Sequence, residues 1–399
     1  MFVERYRRLF AIPGVRTLLV LMFFARIPPS ATSLALTLHV AIGLEHGYGA
    51  AGLVGGVATV GIAIGATLSG RIIDRYGLRT LLLVTGIGET SFWLTAPMMS
   101  YPVLLVVAFF GGMFAVPTMS IGRQAIAALV PDEHRRTAYS FDSISVELSF
   151  MVGPLAAVAL ATQVSTSDAL RVVAVGFAVV AVALFFANPA MRGDDEVVGE
   201  RPPRREWLNG KLAAVLLVGA GAVFVLAGTE VALVAALREN GEVQWTGAAT
   251  IILCATSIMG GLVHGAVRKS LPQVVLMALL GALTLPVLFV DGAAWWVVAI
   301  ALGPASAMCA PTIAATGEQV SKLVPVVVRG EATGLQSSAF TFGAALGSPV
   351  VGFVVDHSGS PGWGFVGAGA GGLVVAAVAA LLIRRSPARA QPTSASAIS

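Results

Sequence analysis

Gly70-Arg71-Ile72-Ile73-Asp74-Arg75-Tyr76-Gly77-Leu78-Arg79 is a polar stretch between two long apolar segments of a 399-residue chain. A membrane protein places a short loop in such a position, and each residue type has a task there. Gly70 lets two helices approach closely, Asp74 ends a helix facing a basic partner, and Gly77 permits a tight turn. Arg75 and Arg79 anchor at phospholipid headgroups. Charged residues make up only 12% of the chain, against about 25% in soluble proteins, and apolar ones 56%. A soluble domain this apolar could not cover its own surface. With a mean hydropathy of +0.86, the composition points to an all-helical polytopic membrane protein.

A span needs about 20 apolar residues. On that measure the chain holds twelve, roughly 17–40, 49–72, 79–99, 102–129, 139–163, 169–188, 211–237, 246–267, 272–290, 294–321, 331–355 and 362–383. A strongly polar linker, 191–210, follows a first half of 1–190 and precedes a second of 211–385. The tail 386–399, rich in Ser, Ala and Pro, reads as disordered. Met1 to Phe10 is basic and amphipathic, and no cleavable signal peptide is expected. Twenty-one of the 25 Lys and Arg fall at the N-terminus, the even-to-odd loops, the linker or the tail, which predicts that both termini are cytoplasmic. That distribution also argues against a nucleic-acid partner. Cys254 and Cys309 lie inside apolar stretches and imply no disulfide framework.

The halves repeat. Pro117-Thr118 through Leu129-Val130-Pro131 to Arg135 matches Pro311-Thr312 through Leu323-Val324-Pro325 to Arg329 at a constant offset of 194 residues. Ser143 aligns with Ser337, and Gly153-Pro154 with Gly347-Ser348-Pro349 after a one-residue slip. Two parallel six-helix halves are one recurrent plan of transporters. The order Gly70, Asp74, Arg75, Gly77, Arg79 closely resembles the signature loop of the major facilitator superfamily, which joins the second and third helices of a twelve-helix carrier. The resemblance covers about Leu18 to Ile383. It implies two pseudo-symmetric six-helix bundles working by alternating access, with spans 1, 4, 7 and 10 lining a central cavity. In the second copy of the loop Arg268 stands where Asp74 stands in the first, so its acid is lost.

Ionisable residues at membrane depth cost several kcal/mol unless paired or hydrated, so each is a functional candidate. Seven stand out: Arg26, Glu89, Arg123, Asp142, Glu147, Glu230 and Glu318. Arg26 precedes Pro28-Pro29, which are expected to interrupt the first span. It either binds an anionic or polar group in the cavity or pairs across the bundle. Glu230, in span 7, is the first choice for a proton-coupling residue: it can take up a proton, lose its charge and let the carrier change state. Its structural alternative is a static ion pair with a partner such as Arg26. Glu318, in span 10, joins either the coupling or an inner gate, and Glu89 suits structural pairing. Arg123, Asp142 and Glu147 are expected to form a latch with the Asp74–Arg75 loop, the inner charge latch the superfamily uses.

Gly153-Pro154 resembles the helix kink of the superfamily's antiporters, but Leu155-Ala156-Ala157 lacks their paired glycines. The Arg that drug antiporters carry in outer span 4 is also missing, with Leu105 at the expected position. His39, His46, His134, His264 and His357 share no metal-ligand spacing, and no phosphate loop ending Gly-Lys-Ser/Thr exists. No enzyme, cofactor or metal is expected. The reading is a secondary transporter, monomeric in a lipid bilayer, exporting a small organic compound in exchange for protons. Its rivals are a symporter or facilitator for a metabolite, such as an anion held by Arg26, and a non-transporting receptor or scaffold. An excess of Arg over Lys with abundant Ala, Val and Gly suggests a bacterial cytoplasmic membrane.

Overall fold

The structure, a computed structural model, describes residues 2–192, 202–267 and 269–385. Met1, residues 193–201 of the linker, Arg268 and the tail 386–399 lie outside the described residues. An amphipathic helix α1 (Phe2–Ala11) precedes the first half, made of α2 (Val15–Leu38), α3 (Gly47–Tyr76), α4 (Leu78–Thr95), α5 (Tyr101–Met113), α6 (Thr118–Leu129), α7 (Asp132–Gln163) and α8 (Thr166–Ala187). After a short α9 (Arg204–Trp207) come α10 (Gly210–Glu239), α11 (Thr246–Ala266), α12 (Gln273–Thr284), α13 (Trp295–Leu323), α14 (Arg329–Ser358) and α15 (Pro361–Arg385).

Among the described residues, eleven segments are long and apolar enough to cross a bilayer. The remaining expected span is α4, an 18-residue helix carrying both Arg79 and Glu89. Span 4 is split: α5 and α6 flank an irregular stretch at 114–117. Buried Glu89 accepts a hydrogen bond from the Val116 backbone N–H at 2.7 Å in that stretch. Its partner is thus the broken backbone rather than a countercharge, which satisfies a donor the helix break has released.

The repeat in sequence is a repeat in packing. In the first half α2 packs on α7, α3 on α5 and α4 on α8; in the second α10 packs on α14, α11 on α13 and α12 on α15. A Cβ on Gly153 would strike Ser30 and the Ile27 carbonyl of α2, and one on Gly347 the Phe224 carbonyl of α10. Gly347 and Phe224 lie 194 residues after Gly153 and Ser30, so the same close approach is built twice. Each half has its own apolar core, and Trp207 of α9 is buried in the second with Leu212, Val320 and Val328.

One expectation fails. Pro28 and Pro29 do not interrupt the first span: α2 runs through both and gives way only at a wide turn, His39–Gly43. Hydroxyls tie α2 to α7 next to the prolines. Ser30 Oγ donates to the carbonyls of Ile27 and Ser149 at 2.8 Å each, and Ser149 Oγ to that of Phe23 at 3.1 Å. Pro154 likewise lies inside an unbroken α7.

Candidate functional site: the space and seams between the halves

The halves meet along two seams, α3 against α14 and α7 against α11. The end of the bundle bearing Gly70–Arg79 is called here the basic end. At the α3–α14 seam Asp74 crosses between halves. Its Oδ1 accepts from the Gly330 N–H at 2.9 Å and its Oδ2 from the Glu331 N–H at 2.8 Å. These are free donors of the first turn of α14, so a carboxylate from one half caps a helix of the other. Gly70 permits this, because a Cβ there would run into the Gly330 carbonyl. Gly77, at φ +83°, turns the chain into α4.

The side chain of Glu331, 2% exposed, is the hub of this seam. Arg71 Nε lies 3.0 Å from it, and Arg204 of α9 also pairs with it. Ser120 and Thr333 hydroxyls meet at 2.7 Å, and Thr67 and Ser338 at 3.1 Å. Arg75 and Arg79 take no part: Arg75 lies over the Tyr76 ring and Arg79 over that of Phe185.

The α7–α11 seam is closed at the same end. Arg136 Nε lies 3.2 Å from Glu318, whose other partner is Lys322 at 2.6 Å. Thr137 Oγ1 donates to the Gly265 carbonyl at 2.7 Å. Glu318 is therefore tied to the opposite half, and Glu331, Arg136, Arg71 and Arg204 complete a set of contacts of which sequence reading named Asp74 and Glu318. Apart from the neighbouring Glu318–Lys322 pair, each joins residues more than 120 positions apart, so local spacing carries no sign of it.

The latch expected of Arg123, Asp142 and Glu147 divides into three. Asp142 pairs with Arg26 inside the first half, Oδ1 to Nη2 at 2.7 Å, both fully buried. Arg26 is thus held by Asp142 and not by Glu230. Arg123 crosses the seam by stacking its guanidinium over Phe340 of α14, 4.9 Å from the ring centre, with its Nε and Nη2 making no hydrogen bond. Glu147 stands further from the basic end. Ser257 Oγ of α11 donates to it at 2.9 Å, and Cys254 Sγ lies 3.8 Å away.

Glu230 stands apart from all of these. On α10 it is solvent-exposed, and among the described residues it has no hydrogen bond or ion pair. It faces the space between the halves, within electrostatic reach of Glu147, Cys254 and Cys309. Two carboxylates, one from each half, therefore share an opening with no counter-cation on them.

That opening has a direction. Among the described residues, every hydrogen bond between halves lies from the basic end up to the level of Ala63, Ser338, Glu147 and Cys254. Beyond that level none joins α3 to α14 or α7 to α11. The polar contacts between the halves are thus gathered at the basic end.

The sequence profile of the Major Facilitator Superfamily matches residues 18–316. No curated protein matches the chain in sequence. Among solved structures, a bacterial homologue of the iron transporter ferroportin in the outward-facing state is similar over 93% of this chain and 99% of its own, at 14% identity and a TM-score of 0.73. FucP, an E. coli fucose:proton symporter, in the outward conformation, is similar over 93% and 99%, at 15% identity and a TM-score of 0.67. The human organic anion transporter MFSD10 is similar over 93% and 99%, at 16% identity and a TM-score of 0.66. At such identities the likeness is one of fold.

Proposed function

This chain belongs to the Major Facilitator Superfamily, and on that premise we propose that it exports a small organic cation in exchange for protons, with Glu230 carrying the proton. Membrane transport follows from the family and the fold. The substrate class, the exchange and the proton are the proposal. One observation carries it: Glu230 is a carboxylate at membrane depth, open to the inter-half space, without a partner among the described residues. Such a group becomes costly to keep charged when the space around it closes and its water is lost, and binding either a proton or a cation relieves the cost. Competition between the two for one carboxylate is the simplest form of exchange.

The asymmetry of Lys and Arg supports placing the basic end in the cytoplasm of a bacterial cell, so that the opposite end faces outward. Glu147, from the opposite half, adds a second negative charge and favours a cation over an anion. The reading of Arg26 as an anion site loses its support, because that guanidinium is spent on Asp142.

The test uses purified protein in liposomes with an acidic interior and a trapped pH dye. Organic cations are expected to collapse the gradient, while neutral and anionic compounds leave it intact. Collapse by anions alone would overturn the substrate class. Labelled-cation counterflow with no proton movement would overturn the coupling.

A further inference from the structure

Helix α1 reaches across the α7–α11 seam. Its residues 5, 6, 9 and 10 lie on one face, because positions four apart on a helix are neighbours. The second pair anchors α1 to its own half. Leu9 is fully buried in the core of that half, and Phe10 meets the ring of Phe141 edge-on at 5.1 Å. The first pair reaches the other half. Arg5 Nη1 donates to the Val267 carbonyl at 2.8 Å and Tyr6 Oη to the Leu262 carbonyl at 2.9 Å.

We propose that α1 is a strap over this seam, in which Arg5 and Tyr6 hold α11 against α7 and must release it for the basic end to open. This rests on the alternating-access part of the reading above, and not on the substrate or the proton.

Three features support the strap. The first is what the seam lacks. At the α3–α14 seam the acid of the loop caps a facing helix; at the α7–α11 seam the corresponding position is Arg268, by sequence no longer an acid. A helix C-terminus presents free carbonyls and a partial negative charge, so it is matched by cationic and neutral donors. Arg5 and Tyr6 are such donors, at the C-terminal end of α11. The second is the space made for them. Gly265 leaves room for the Tyr6 hydroxyl, since a Cβ there would stand 2.5 Å from it and 2.9 Å from Ser140 Cβ. The third is protonation. Burial pushes the Tyr6 hydroxyl up to about 12, so it stays a donor across the physiological range.

The test measures the width of this seam. Nitroxides are placed at Glu133→Cys and Leu271→Cys, both exposed sites, in a Cys254→Ala/Cys309→Ala background. Distances are read by electron–electron resonance in lipid nanodiscs. The measurement is made in the otherwise wild-type chain and with Asp74→Asn, where the weakened first seam brings the open and closed states nearer balance. Tyr6→Phe removes one oxygen and keeps the ring that fills the site. It is expected to raise the ratio of wide to narrow distances about two- to twelve-fold, the effect of one lost hydrogen bond. Arg5→Ala is expected to act in the same direction, and the double variant more strongly. If the double variant elutes as a monodisperse folded protein and keeps the parent distribution in both backgrounds, α1 is a passive surface helix and the proposal is overturned. If Asp74→Asn opens neither seam while labelled-cation counterflow persists, that carboxylate does not hold the basic end shut and the otherwise wild-type chain decides the strap; if counterflow is absent too, alternating access itself is at fault, which separates the two failures.

Discussion

Replacing Asp74 with Asn alters one atom and tests the logic of the gate. Both carboxylate oxygens accept backbone N–H bonds from the start of α14, at 2.9 and 2.8 Å. Asn keeps one acceptor, turns an amide N–H toward a backbone N–H, and removes the negative charge from the helix N-terminus. A hydrogen bond to a charged group contributes about 1.5–3 kcal/mol, and a charge at a helix end about 0.3–1 kcal/mol. The closed state should therefore lose roughly 2–3 kcal/mol relative to the open one, about 30- to 150-fold in the equilibrium. Because both carboxylate contacts lie across the halves, each bundle should keep its own stability. Nitroxides at Tyr76→Cys and Pro325→Cys, in the cysteine-free background, would report the α3–α14 distance. The expected result is a new long-distance population with thermal stability close to wild type. An unchanged distribution would refute the claim that this carboxylate holds the basic end shut.

Gly70→Ala should give a similar opening by steric means, since the new methyl would collide with the Gly330 carbonyl; an unchanged α3–α14 distance would remove close approach from the account. Arg26→Met leaves Asp142 buried without its ion pair and should cost about 3–5 kcal/mol, read as a lower melting temperature. Adding Asp142→Leu should recover most of that loss, whereas an unshifted Arg26→Met would mean that the pair is not structural.

The spans and the signature loop are legible in sequence because hydropathy and local spacing encode them. The predicted boundaries, such as 211–237, fall close to observed ones such as Gly210–Glu239. The split of span 4 is not legible, because it depends on a group from another helix: Glu89 receives the broken backbone. The same limit explains the gate. Asp74 stands out by its motif, but Glu331 looks like an ordinary loop acid until Arg71 and Arg204 arrive from distant positions. The latch expected of Arg123, Asp142 and Glu147 with the loop is not formed as one group. The structure gives Asp142 to Arg26 and turns Glu147 to α11, assignments that only the packing of α2, α7 and α11 decides.

The most direct test of the central claim is Glu230→Gln in proteoliposomes, assayed for counterflow of a labelled cation and for cation flux driven by a pH gradient. The account predicts that exchange of cation for cation persists, since the scaffold and the alternating motion remain, while the pH gradient no longer drives transport. Gradient-driven flux equal to wild type in the Gln variant would contradict it and take the proton off Glu230.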